Sequence, residues 1–470
     1  MAKADKSVVK QFNSLKQHLK TENPVLVEAV AGFEKLDTVA YRTGVLNTNE
    51  SFAMQIPWWP LVSVLGVFSA GKSSFINSYL GRTLQKTGNQ AVDDKFTVIC
   101  YGKEKAGQVL PGLALDADMR FPFYRISKEI EQVSSGEGRR IDAYLQLKVT
   151  DAEILRGKIL IDSPGFDADD QRTATLQLTN HIIDISDLVL VFFDARHPEP
   201  GAMQDTLTHL VGNTIDRADS NKFLYILNQI DTAAREDNTE EITGAWQRAL
   251  AQKGLTAGRF YTIYNKEAAQ AFADDATQKR FETKRDADMA EIHTRINQIE
   301  SERAYRIIGS MESEAYAIRD QFVPSITRLK KLWAKRVLRF DLIVLALLLV
   351  CVLGVALATG TLGPLFALVL GMISNPMAMI GVLAGVVIVG LGVHFAIRHA
   401  VATYMIRKMQ YTDDSAYISA FKKNTRFFRS LFRSTPVGWN KKSKITVDNV
   451  LEESSDFVQR LNDQFTNPSG

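Results

Sequence analysis

Gly66-Val67-Phe68-Ser69-Ala70-Gly71-Lys72-Ser73-Ser74 stands between the β-branched run LVSVLG and the helix-like SSFINSYLG. It fits G-x-x-x-x-G-K-[ST], a pattern whose physical sense requires a strand, a tight loop and a helix N-terminus in that order. The glycines let backbone N–H groups close around phosphate oxygens, and the helix N-terminus adds a favourable dipole. Lys72 has the length to reach β and γ phosphates, and Ser73 offers a hydroxyl to Mg²⁺. Gly66, Ser69, Ala70, Gly71, Lys72, Ser73 and Ser74 are therefore the expected phosphate-binding residues.

The surrounding pattern agrees with an α/β domain. Between Leu61 and about Asn265 come LVSVLGV, KFTVICYG, AYLQLKV, KILIDSP, LVLVFFD, FLYILN and FYTIYN, several separated by helix-length polar segments. This alternation predicts a mainly parallel sheet over residues 61–272. Asp162-Ser163-Pro164-Gly165 follows one apolar run, where Asp162 can hold Mg²⁺ through water and the Gly165 N–H can meet a γ-phosphate. FLYILNQID ends another run with Asn228, Gln229 and Asp231. A carboxylate at Asp231 can accept two hydrogen bonds from guanine N1 and N2, which adenine does not supply. Lysine usually fills the second position of this signature, and Gln229 keeps much of its stem without the charge. Asn265 and Lys266, after FYTIY, are candidates to flank the base.

A switch hydrolase also needs a Mg²⁺-ligating hydroxyl on a mobile loop between Lys72 and Asp162. The stretch GNQAVDDKFTVICYG is the expected loop, with Thr97 and Thr87 as candidates. Phe166 follows Gly165, and its ring cannot orient an attacking water as a glutamine would. That task falls to Ser69, a loop main chain or a partner subunit. Lys72, Ser69 and Thr97 are thus the catalytic candidates, and Ser73 and Asp162 the metal ligands.

The flanks read differently. At 470 residues the chain exceeds one compact core. Residues 1–60 contain helical spacings, broken at Asn23-Pro24 and closed by the linker Trp58-Trp59-Pro60. Residues 273–340 read as a helical stalk, with Ile292, Ile296 and Ile299 and then Ile307, Met311, Ala315, Ile318 and Phe322 in step. From Asp341 to Ile397 there is no Lys, Arg or Glu. A bilayer crossing takes roughly 20 apolar residues, so Leu342–Ala358 and Met377–Ile397 form a candidate hairpin broken by TGTLGP and SNP. A buried hairpin in a soluble core and a wedge of partial depth are the competing readings. Lys330, Lys331, Lys335, Arg336 and Arg339 precede it, and Arg398, Arg407 and Lys408 follow, which places both ends on the cytoplasmic face. Gly381, Gly385, Gly390 and Gly392 would let the two legs pack closely.

Residues 398–470 are expected to return as helices, one over Asp413–Arg433 and a short one over Val447–Phe465. In the first, phenylalanines interleave with Lys and Arg, a pattern that suits an anionic membrane surface and equally suits packing against the stalk. The net charge of +3 gives no argument for nucleic acid. Two cysteines, Cys100 and Cys351, in unrelated contexts fit a reducing compartment. The opening MAKADKSVVKQF lacks the apolar core of a secretory signal.

GVFSAGKSSFINSYLG, DSPG, LNQID and a helical region holding an apolar hairpin together resemble the dynamin superfamily, in its bacterial dynamin-like and Eps15-homology-domain (EHD) branches. TGNQAVDDKFTVICYG is similar to the EHD switch loop, and SDLVLVFFDARHPEPGAMQDTL to the EHD strand with its following loop. The likeness covers residues 60–270 by motif and the flanking helices by arrangement. It implies a GTPase domain on a helical bundle with a membrane-binding tip and a cytoplasmic nucleotide domain, with a bacterial inner membrane as the expected location. It also implies GTP with Mg²⁺, a homodimer across the GTPase faces, higher oligomers on anionic lipid, and a part for Ser69 in positioning water. Val92-Asp93 stands where the EHD loop has a threonine pair, so that family ligand does not carry over. The EHD branch favours ATP despite a guanine-like signature, so an assembling ATPase stays open beside the GTPase. A membrane-anchored, non-assembling signalling switch is the third reading, separated by whether specific activity rises with protein concentration.

Overall fold

The computed structural model describes residues 4–22, 24–67, 69–87, 95–103, 106–117, 121, 126–127, 131, 138–165, 173–196, 220–233, 239–252, 259–364, 376–410 and 415–466. The chain divides into a sheet unit (Gln11–Val27, Met54–Ile308, Arg460–Gly470) and a helical unit (Met1–Lys10, Glu28–Ala53, Gly309–Gln459).

In the sheet unit, β1 (Leu61–Gly66), β2 (Phe96–Tyr101), β3 (Val109–Pro111), β4 (Leu145–Thr150), β5 (Ile159–Asp162), β6 (Leu188–Asp194), β7 (Phe223–Asn228) and β8 (Arg259–Thr262) form one sheet. Their order is β3-β4-β2-β5-β1-β6-β7-β8. Pairing is parallel from β5 through β8 and between β2 and β4, and antiparallel for β2–β5 and β3–β4. All seven predicted runs are strands. The unpredicted β3 is an edge strand of three residues ending in Pro111, whose missing N–H suits an edge. One sheet face buries Ile76, Leu160 and Leu190 with Ile292, Ile296 and Ile299, and the other buries Ile183, Phe193, Tyr225 and Trp246. Those three isoleucines explain why this unit runs on to Ile308, beyond the change of pattern at 272. Trp58 and Trp59 are buried within the unit, so they do more than close a linker. Asp187, fully buried before β6, accepts from the Leu61 N–H (2.9 Å) and Arg303 Nε (3.0 Å), and pairs with Arg306 (2.8 Å). It ties the start of β1 to the long helix.

The early helices are α1 (Lys6–Glu22) and α2 (Pro24–Thr43), with proline at the first helical position of α2. α3 (Lys72–Leu80), α4 (Thr173–Ile185) and α5 (Thr239–Gln252) flank the sheet strands in sequence. α6 (Asp275–Tyr316) runs through a π turn at Ala317–Phe322 into α7 (Val323–Ala358). Pro324 lacks the N–H that would close an ordinary turn here, and the π turn takes up the misfit.

Leu342–Leu357 in α7 and Met377–Val393 in α8 (Pro376–Gln410) expose nearly every large apolar side chain. Both helices are long and apolar enough to cross a membrane. A Cβ on Gly381, Gly385, Gly390 or Gly392 would meet nothing within 4 Å among the described residues. Close leg-to-leg packing therefore does not run through these glycines, contrary to expectation. His394 Nδ1 and Asp341 Oδ2 meet at 2.8 Å across the base of the legs. Two further helices differ from their expected bounds. α9 (Ser415–Asn424) stops short of Arg433 because the Asn424 side chain donates to Ala420 O (2.9 Å) and accepts from Val437 N–H (2.8 Å). α10 (Lys441–Thr466) is longer than Val447–Phe465 because Asn440 caps the Ser443 N–H at 2.8 Å.

Asp37 is buried in the helical unit, where its Oδ1 accepts from Phe52 N–H at 3.0 Å. Burial raises its carboxyl to about 7. Because the folded value exceeds the unfolded one, this group's stabilisation is complete below pH about 4 and is lost as pH rises through about 7. Asp37→Asn should therefore stabilise the protein by about 2–4 kcal/mol near pH 8 and change little near pH 4. Paired melting curves at the two pH values check this.

Candidate nucleotide-binding site

The phosphate loop joins β1 to α3, between the neighbouring strands β5 and β6. Gly66 leaves β1 with φ 153°, and a Cβ there would lie 2.4 Å from the Phe192 carbonyl oxygen. Glycine is required by that approach. Ser69 and Gly71 take positive φ, 61° and 82°, the kind of backbone reversal that builds an anion-holding concavity. Ala70 is buried, while Ser73 and Ser74 are half-buried on the first turn of α3. Lys72 is buried, and its Nζ donates to Gly66 O (2.8 Å) and Val67 O (3.1 Å). The ammonium thus lies across the loop it is expected to serve.

Asp162 ends β5 beside β1, with Val64 as its register partner. Ser163 N–H donates to Val64 O at 3.0 Å, and Gly165 follows half-buried. A serine hydroxyl at the start of α3 and a carboxylate on the adjacent strand end are hard oxygen donors of the kind Mg²⁺ takes. Among the described residues no cluster of three or more His, Cys, Asp or Glu suggests a different metal.

Thr97 requires a correction. It lies within β2, fully buried, paired with Gln146 of β4 on one side and Asp162 of β5 on the other. Its hydroxyl accepts from Gln146 Nε2 at 2.7 Å. A side chain fixed between two paired strands is not the loop hydroxyl that a switch requires. Thr87 is exposed. Val92, Asp93 and Phe166 lie outside the described residues.

The base-reading stretch is bonded directly to the phosphate loop. Asn228 Nδ2 donates to Ala70 O at 2.9 Å, and Gln229 Nε2 donates to Ser69 O at 2.6 Å. Gln229 takes φ 64°, which turns the chain sharply after β7. Its amide bonds the phosphate loop directly, so the absence of the usual lysine charge leaves this link in place. Asp231 is buried in the following turn, and its Oδ2 accepts from the Gln270 N–H at 3.0 Å. Burial pushes its carboxyl up, while the Gln270 N–H and Arg196 pull it down. Asn265 follows β8, the parallel neighbour of β7, and its Oδ1 accepts from Glu267 N–H at 3.1 Å. Lys266 pairs with Asp286 at 3.0 Å. The structure thus joins Asn228 and Gln229 to the phosphate loop by bonds, and places Asp231, Asn265 and Lys266 along the same sheet edge.

Four residues escaped the sequence reading. Arg196 is held by Asp194 (NH2 to Oδ2, 2.6 Å) and reaches Ser69 O at 3.4 Å. The Asp-x-Arg spacing at the end of a buried strand was its only signal. Gln85 is buried between Asp162 and Lys148: its Nε2 donates to Asp162 Oδ2 at 2.5 Å, and its Oε1 accepts from Lys148 Nζ. Asn77 of α3 fixes the Gln85 backbone by accepting its N–H and donating to its carbonyl, both at 2.8 Å. Lys148 is itself buried on β4, two residues from Gln146 and on the same sheet face. Gln85→Leu should strip both neighbours of a bond, costing about 2–6 kcal/mol at the usual 1–3 kcal/mol per buried polar group. It should also raise the Mg²⁺ concentration needed for half-maximal turnover, because Asp162 loses its positioning donor. Melting curves and a Mg²⁺ titration check the two effects separately.

The Dynamin family model matches residues 62–230. Two solved structures of an oligomerised bacterial dynamin pair, described as providing a mechanism for long-range sensing and tethering of membranes, are similar in part. The first is 14% identical, with a TM-score of 0.38, covering 97% of this chain and 74% of that one. The second is 13% identical, with a TM-score of 0.33, covering 96% and 76%. No curated protein matches. The phosphate loop, the D-x-x-G strand end and Asn228 lie inside the matched region, with Asp231 one residue beyond it, so this part of the chain is similar to the dynamin family.

Proposed function

We propose that this protein is a membrane-anchored dynamin-like GTPase of the bacterial or EHD-like type. It hydrolyses GTP with Mg²⁺ and couples nucleotide-dependent dimerisation and self-assembly to membrane remodelling, tethering or fusion. The observation that carries this reading is the pair of bonds from Asn228 and Gln229 to the phosphate-loop carbonyls. Through them the base-reading turn and the phosphate loop act as one body. The two exposed apolar helices support the membrane part.

In this reading the N–H groups of the phosphate loop and α3 hold the phosphates, and Lys72 moves from its carbonyl partners to the β–γ bridge. Ser73 and Asp162 would hold Mg²⁺, whose charge would offset that of the phosphates. Asp231 reads the guanine edge, with Asn265 and Lys266 beside the base. Ser69, held through its carbonyl by Gln229 and Arg196, positions water across a dimer of nucleotide faces. Leu342–Ala358 and Met377–Ile397 enter the bacterial inner membrane, whose cytoplasmic leaflet is anionic, with the nucleotide domain in the cytoplasm. Co-sedimentation with anionic liposomes, and GTP turnover measured over a range of protein concentrations, test this. Binding with turnover that rises with concentration and with lipid is expected. Turnover independent of both would favour a non-assembling switch, and absence of lipid binding would remove the anchor.

A further inference from the structure

Residues 425–440, between α9 and α10, form a pinned loop at the base of the apolar legs. The Asn424 side chain closes it onto Val437 N–H at 2.8 Å, and Arg398 donates from its guanidinium to Arg429 O at 2.5 Å. Leu431 anchors it in a core with Trp333, Val337, Val401, Met405 and Phe421. The loop thus buries Phe421 (0% exposed) and Leu431 (6%) but leaves Phe427 (68%), Phe428 (71%) and Phe432 (83%) in the open. Each such side chain, if buried, would contribute about 1.5–3 kcal/mol. Three phenylalanines held out by a fixed backbone mark an interaction surface.

Charge and position say what meets it. Between Asp414 and Asp448 the chain has no acidic residue and eight basic ones. Lys422, Arg426 and Arg433 are exposed beside the rings. Burial, with Arg433 and Arg429 nearby, holds the Lys330 ammonium below its usual range, in keeping with a concentrated positive field. The Phe427 ring stacks on Phe395 with centroids 4.0 Å apart, one residue beyond the His394–Asp341 pair that closes the apolar legs. The phenylalanines therefore stand where the legs leave the apolar zone, the depth of lipid headgroups.

We propose that residues 425–433 are a second lipid-binding surface, separate from the hairpin. Phe427, Phe428 and Phe432 enter the headgroup–acyl boundary of an anionic leaflet, and Lys422, Arg426 and Arg433 bind its phosphates. This rests on the reading of α7 and α8 as membrane legs, which place the loop at that depth. Its effect is to hold the base of the hairpin on the leaflet, so that force from the helical unit reaches the bilayer at the loop as well as at the legs.

The test uses the full chain with Phe428→p-benzoylphenylalanine, irradiated on phosphatidylglycerol-rich vesicles and on pure phosphatidylcholine vesicles. Resistance of the protein to carbonate extraction is scored in parallel. A lipid adduct on residue 428 is expected on the anionic vesicles. Arg426→Glu with Arg433→Glu should lower its yield about tenfold or more, at roughly 1 kcal/mol per basic residue near such a surface, while carbonate resistance stays unchanged. A carbonate-resistant protein with no lipid adduct overturns the loop proposal and leaves the hairpin standing. Cross-links to a second copy in place of lipid overturn it in favour of a protein interface. Complete extraction by carbonate without adduct overturns both readings together.

Discussion

Lys72→Ala is expected to lower GTP turnover by about 100- to 1,000-fold, the usual effect of deleting one preorganised charge-stabilising donor. Phosphoryl transfer leaves the protein little covalent chemistry to do, so rate comes from positioning and from charge opposite the γ-phosphoryl oxygens. Lys72 is the cation of the loop itself, and its burial raises the worth of its charge. It also bonds Gly66 O and Val67 O, so alanine removes a restraint on the loop along with the charge. Lys72→Met loses the ammonium and both carbonyl bonds but keeps the apolar stem, so it separates what the ammonium does from the packing of the stem. If charge at the β–γ bridge dominates, methionine and alanine should be equally inactive. If packing of the stem dominates, methionine should recover part of the rate. Single-turnover kinetics with nucleotide binding measured separately make the comparison. A Lys72→Ala enzyme within about threefold of the parent kcat would remove Lys72 from the catalytic step.

The sheet was legible because β-branched runs and polar spacers alternate, and buried parallel strands leave that mark. The phosphate loop was legible because its chemistry is local: the six residues after β1 carry both the loop and the cation. What failed was whatever depends on side chains meeting from distant segments. Thr97 looked like a switch hydroxyl because it lies in the stretch between Lys72 and Asp162 expected to hold the loop, but two strand ladders claim its backbone. The bridge from Lys148 through Gln85 to Asp162 spans 77 residues between Gln85 and Asp162 and has no local signature. The end of α9 was missed because Asn424 acts through Val437, which only the folded loop brings near. The glycines of α8 read as a packing face, yet spacing alone gives a stripe and not its partner.

The second large effect concerns the base. Asp231→Asn is expected to weaken GTP binding by about 100-fold, from the loss of charge-assisted bonds worth about 1.5–3 kcal/mol. The same change should improve binding of xanthosine triphosphate, whose C2 oxygen replaces the guanine amino group and accepts from the new Asn amide. Asp231 already accepts from Gln270 N–H with one oxygen, and a carboxylate has about four lone-pair sites in all, so capacity for the guanine edge remains. Its burial removes competing water, which strengthens those bonds and also raises the carboxyl's affinity for a proton. GTP affinity should therefore fall on acidification sooner than an ordinary carboxylate would dictate, and Arg196→Ala should move that fall to higher pH by removing a cation that holds Asp231 ionised. ATP is the internal control. It presents no N1–H and N2–H pair to Asp231, so its binding should barely respond to the asparagine. Competition of GTP, xanthosine triphosphate and ATP for one fluorescent nucleotide reads all three outcomes. An unchanged GTP affinity together with tight ATP binding would return the chain to the ATPase reading, because Gln229 and Asn228 hold the phosphate loop whichever base lies beside it.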